Sequence, residues 1–185
     1  MEVGTLSYRC ACCGKEYSGA PSFGYETPPF IREVPEEERQ SRVVFDSDLC
    51  HVRLRPNENS PDDIFSVRVN LEIPIWDSPE TFLWGVWVTQ SEESFLRYIE
   101  TYKEDQSSEG SFGWLPVVMS PYRDHATEQN SGYLACDVYW GKSGQRPTIT
   151  LHECDHPLYL DQRDGISWQR AVEIAQLQWQ GLHGK

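Results

Sequence analysis

The chain has 185 residues, of which 38% are hydrophobic and 12% aromatic, and 29 acidic against 16 basic side chains give a formal charge of −13. That length supplies one domain able to bury roughly 70% of its unfolded surface, and this apolar content excludes intrinsic disorder. The acidic field repels phosphate backbones and anionic headgroups, so nucleic acid and membrane surfaces are set aside as partners and a basic protein is favoured.

The N-terminus "MEVGTLSYRC" has neither a basic region nor an apolar one, and runs such as "FLWGVWV" are too short to span a bilayer, so a cytoplasmic protein is expected. Residues 1–48 read as an irregular segment carrying a cysteine knuckle, broken by Gly14, Gly19 and Gly24, with one short helix at "PEEERQ" opening on Pro35. Residues 49–185 read as the body of the same single domain. Phe65, Val67, Val69, Leu71, Ile73 and Ile75 alternate with polar residues, which predicts a strand with one wet face. "TFLWGVWV" (81–88) is apolar on both faces, as a covered central strand requires.

The period then changes. Phe95, Tyr98, Ile99 and Tyr102 fall at helical spacing behind Ser91 as N-cap, predicting a helix over about 91–104. A polar loop (105–111) leads to "FGWLPVVM", and "YLACDVYW" and "TITLHE" flank "GKSGQRP" as a hairpin. A second helix is predicted over about 167–182, capped by Ser167 and ended by Gly184, with a stripe of Trp168, Ala171, Val172, Ala175, Trp179 and Leu182. The sum is an α+β fold: a mainly antiparallel sheet, two main helices packed on it and an N-terminal zinc-knuckle-like segment.

Six cysteines carry the most specific chemical signal. Cys10 and Cys13 in "RCACCGK" have the two-residue spacing of a zinc knuckle, in which both sulfurs face one ion and Cys12 points away. A structural zinc needs four ligands, so the others must come from afar. Cys50 is the best third candidate, and because its neighbour His51 would face the opposite side of a strand, only one of the two can join. His156, Cys154 and Cys136 compete for the fourth place, with Cys136 better suited to the core. A thioredoxin-type dithiol is disfavoured because no helix starts after the motif.

"HECDH" (152–156) matches the metalloprotease motif H-E-x-x-H, in which two histidines one helical turn apart hold zinc and Glu153 activates water. The β-branched "TITL" before it and Pro157 after it oppose a helix there. In an extended strand His152 and His156 would stand roughly 13 Å apart, too far for one ion. The match is therefore read as accidental.

The order of short motifs, "CACCG", "PSFG", "SDLC", "LEIPI", "WGVWV", "GQRP", "DHPL" and "QRDGI" before a terminal helix, resembles the bacterial domain of unknown function 2199 family over nearly the whole chain. The resemblance implies a single-domain bacterial cytosolic protein. It also implies that Cys10, Cys13, Cys50 and His156 belong to the family pattern, whereas His152 is peculiar to this sequence. It brings no activity with it.

The leading expectation is a non-enzymatic acidic interaction module with a structural zinc held by Cys10, Cys13, Cys50 and His156. It would bind a basic protein, as an immunity or antitoxin-like protein does. One alternative is a zinc-dependent hydrolase using His152, Glu153 and His156, or an open Cys/His site. Another is a small-molecule binding protein with a pocket of Trp84, Trp87, Trp114 and Trp140.

Overall fold

The computed structural model describes residues 6–55, 60–76, 78–125 and 132–183. Short strands β1 (Ser7–Arg9) and β2 (Glu16–Ser18) form a hairpin of their own. β3 (Ser22–Gly24) follows, then 3-10 turns at Pro29–Glu33 and Glu36–Glu38 and a four-residue helix α1 (Arg39–Arg42). β4 (Val43–Phe45) and β5 (Leu49–Val52) lead into the long strands β6 (Ile64–Pro74) and β7 (Thr81–Gln90). After helix α2 (Glu92–Thr101) come β8 (Gln106–Pro116), β9 (Tyr133–Gly141) and β10 (Thr148–Leu151), and the chain ends in α3 (Pro157–Asp164) and α4 (Trp168–His183).

β6 and β7 pair antiparallel along ten residues, from Phe65 opposite Gln90 to Pro74 opposite Thr81. β7 meets β8 at Thr89 and Trp114, β8 pairs β9, and β9 pairs β10. β10 then returns to β6 in parallel, Thr148 beside Asn70. The ring β6–β7–β8–β9–β10 is therefore closed. β5 and β4 extend the sheet from β6, and β3 lies parallel beside β7.

This corrects the expected α+β fold. The protein is mostly β, built on a closed five-stranded barrel within an eight-stranded sheet, with small helices around it, rather than a mainly antiparallel sheet with two main helices packed on it. Period-two alternation sets which side chains of a strand face inward, but an open sheet and a barrel share that pattern. Closure depends on a parallel contact between residues 70 and 148, which leaves no local mark. The expected polar loop at 105–111 is largely strand, its irregularity being a register shift between Gln106 and Gly110.

Val67, Val69, Leu71 and Ile73 of β6 meet Phe82, Trp84, Val86 and Val88 of β7 in the main core. Trp87 points the other way, into a second cluster with Phe30, Ile31, Val34, Cys50 and Val52. The irregular N-terminal segment thus covers the outer side of β7, which explains why that strand is apolar on both faces. Trp87 Nε1 donates to Tyr25 O at 2.8 Å, satisfying its buried N–H.

Ser91 caps α2 by accepting from Ser94 N at 3.1 Å, and Ser167 accepts from Arg170 N at 3.1 Å. Gly184, expected to end the last helix, lies outside the described residues. The buried positions of α4 include Ala171, Ile174, Ala175 and Gln178, while Leu182 is exposed, so the stripe is rotated from the expected one. Helix α3 is absent from the sequence reading. Pro157, taken as a barrier to helix, instead occupies the first helical turn behind His156 as N-cap, where its missing N–H costs nothing.

Candidate metal centre and outer aromatic face

The β1–β2 hairpin pairs Tyr8 with Tyr17 and Arg9 with Glu16, and its turn holds all three N-terminal thiols. Cys10 N donates to Lys15 O and Gly14 N to Cys10 O, both at 2.8 Å. Gly14 sits at φ +70°, which a glycine adopts at no steric cost. Behind the turn, Tyr8 stacks on Tyr17 at 5.2 Å and Tyr17 on Trp179 of α4 at 5.3 Å. Gln176 clamps the loop to the same helix: its Oε1 accepts from Ala11 N and its Nε2 donates to Arg9 O, each at 2.8 Å.

The sulfurs of Cys10, Cys12 and Cys13 all lie within 4.8 Å of one another, with Cys10 buried and the other two exposed. Cys10 and Cys12 Sγ are 2.8 Å apart. Burial pushes the Cys10 thiol up, but hydrogen bonds from the Cys12 thiol and from the Cys13 and Cys12 backbone amides outweigh it and bring it to about 7. The bond to Cys10, followed by burial, pushes Cys12 up to about 11. Cys12, expected to point away, is therefore part of the cluster.

The other expected ligands lie elsewhere. Cys50 is buried in β5, where desolvation pushes its thiol up to about 11 against the lowering influence of Ser66. Its neighbour His51 faces Asp63, at 3.2 Å. His156 is buried, and its Nδ1 accepts from Leu158 N at 3.1 Å at the start of α3. Burial first, and then nearby His125, lowers its pKa from the usual histidine value. Among the described residues the three-cysteine cluster is the one grouping of three or more thiols, imidazoles and carboxylates within ligand reach of each other, and neither Cys50 nor His156 is in it.

The H-E-x-x-H match spans a loop and a helix cap. His152 to Asp155 are non-helical, and His152 Nε2 lies 3.0 Å from Asp137 Oδ1 on the barrel wall. Glu153 is exposed at the loop surface. Cys136 is buried in β9 and donates to Gly113 O at 3.4 Å, and Cys154 is half-buried after β10. Trp84, Trp87 and Trp140 are buried and distributed over the cores, whereas Trp114 faces outward, so the four do not line one pocket.

Trp114 belongs to a surface that the sequence reading passed over. The outward positions of β8 and β9 carry Phe112, Trp114, Tyr133 and Tyr139, each 38–50% exposed. Phe112 meets Trp114 edge-on at 5.3 Å and His152 at 5.6 Å. Beside them, where the β8 register shifts, a shallow groove of about 530 Å³ is lined in part by Glu109, Asp137 and Tyr139. Part of the signal was available: Phe112 and Trp114 alternate with Gly113 and Leu115, and Tyr133 and Tyr139 fall on the opposite parity from Leu134, Cys136 and Val138.

A family model described as an uncharacterised protein conserved in bacteria, domain of unknown function 2199, matches residues 9–166, which takes in the cysteine turn and the whole barrel. The chain belongs to this family. No curated protein and no solved structure matches it. The matched span of this domain of unknown function 2199 protein includes Cys10, Cys12, Cys13 and the β8–β9 face. Among its described residues no helix is long and apolar enough to cross a membrane.

Proposed function

We propose that this protein is a non-enzymatic interaction module that presents the outer face of β8–β9 to a basic segment of another protein. The observation that carries the reading is the gathering of Phe112, Trp114, Tyr133 and Tyr139 on one exposed wall. Aromatic side chains offer large contact area at low conformational cost and are the commonest anchors of interfaces. Their ring faces attract guanidinium and ammonium groups. Glu109 and Asp137 stand beside them, and the net charge of −13 steers a cationic partner in from a distance.

The test is titration of the protein with arginine-rich peptides and with glutamate-rich peptides of equal length, followed by calorimetry at low and high salt. Selective, salt-sensitive binding of the basic peptide is expected. Trp114→Ala should weaken it about 30-fold, the effect of an interface anchor worth ~2 kcal/mol. Trp114 is 47% exposed, so the fold should survive the change. Equal affinity in Trp114→Ala and Phe112→Ala, or equal binding of the acidic peptide, refutes the reading.

A further inference from the structure

We propose that Cys10, Cys12 and Cys13 together form a three-thiolate site for one thiophilic closed-shell metal ion, Zn²⁺ or Cu⁺, with the outer side of the ion left open. The site differs in ligands and in kind from an enclosed four-ligand zinc: it uses Cys12, needs neither Cys50 nor His156, and faces solvent.

The geometry supports it at three levels. A trigonal ion with metal–sulfur bonds of ~2.3 Å holds its sulfurs ~4 Å apart. The three Sγ atoms already lie within 4.8 Å of one another, so an ion requires side-chain rotation alone, chiefly opening the 2.8 Å Cys10–Cys12 pair by about 1 Å. The turn itself is fixed beforehand by the Cys10–Lys15 and Gly14–Cys10 backbone bonds and by Gln176 of α4. Finally, the donor set decides the class of ion, because thiolates select soft cations over magnesium and calcium.

The open side follows from burial. Cys10 is at the base while Cys12 and Cys13 face outward, and no imidazole or carboxylate among the described residues completes the group. Zn²⁺ would take a solvent molecule or a partner's side chain in the fourth position. Cu⁺ is content with three sulfurs. Because Tyr8 and Tyr17 tie the hairpin to Trp168 and Trp179, an ion there also fastens the N-terminal segment to α4.

The experiment uses the full chain, stripped of metal and kept reduced with a phosphine. It is titrated with Zn²⁺ and, separately, with Cu⁺, each against a chromophoric competitor. One equivalent of at least one ion should bind, and the arm with the higher affinity names it. Saturation at 100 times Kd should raise Tm by about 5–10 °C. Cys12→Ser and Cys13→Ser, both at exposed positions, should each weaken binding at least 100-fold with the apo fold unchanged by circular dichroism. Cys50→Ser should bind as the parent does. No stoichiometric binding of either ion, unchanged affinity in Cys12→Ser, or loss of metal in a folded Cys50→Ser protein would each overturn the site.

Discussion

Gly113 lies where β8 approaches the backbone of β7, and Gly113→Ala tests that approach directly. β7 and β8 pair at Thr89 and Trp114, supported by Trp114 N donating to Thr89 Oγ1 at 3.2 Å. A Cβ on Gly113 would stand 2.5 Å from Thr89 O and against Val88 Cγ1, where ordinary contact begins at 3.4 Å. The strands must therefore part by about 0.9 Å, the difference between those two distances. The obstacle is a backbone carbonyl on a paired strand, which has no rotamer to escape into. Overpacking of this kind costs about 2–3 kcal/mol, the upper part of its usual range. For a chain of this size that lowers Tm by about 4–12 °C. Gly85→Ala is the matched control, because its Cβ meets nothing closer than Gly24 Cα at 3.5 Å. Restricting the unfolded chain there should leave stability unchanged or raise it by up to ~1 kcal/mol. Both variants are read by thermal melts in the near-ultraviolet, where the buried Trp84 and Trp140 report the barrel, and by urea denaturation. Equal melting temperatures for the two would show that β7 and β8 do not approach as closely as described.

The buried imidazole of His156 predicts a pH dependence. Its folded pKa is lowered, mainly by burial, and an unfolded histidine titrates near ~6.5, so below that pH the unfolded chain binds more protons. Its contribution is fully present above ~6.5 and is lost as the pH falls through that value toward the lower folded pKa. His156→Asn keeps an acceptor for Leu158 N–H without titrating, so urea midpoints should fall less steeply from pH 6.5 to 5 than in the parent; parallel slopes would remove His156 as the cause. Inside the barrel, Ser111 Oγ donates to Gln90 Oε1 and accepts from Trp140 Nε1 at 3.1 Å. Ser111→Ala leaves both groups without that partner and should cost about 1–3 kcal/mol in urea denaturation, whereas no change would show that water replaces the hydroxyl.

Local chemistry made several elements readable. The alternation from Phe65 to Ile73 is the inward face of β6, and Ser91 and Ser167 cap helices as serine at those positions should. The close set Cys10–Cys13 with Gly14 announced a tight thiol-bearing turn, because the residues involved are neighbours. The place of His156 was not readable, for the opposite reason. In one dimension His156 is one of several candidates for a fourth ligand, and only the start of α3 shows its Nδ1 accepting from Leu158 N.

Sequence alone determined which residues are apolar and at what period, where two helices begin, and that three sulfurs sit within one turn, since each depends on contacts between near neighbours. The tertiary structure decided the rest. It decided that β10 returns to β6 and makes a barrel of what reads as an open sheet, and that Cys50 serves the second core cluster. It also decided that four aromatic side chains share one outer wall. Those outcomes depend on strand curvature and on pairings between distant residues, which hydrophobic periodicity does not encode.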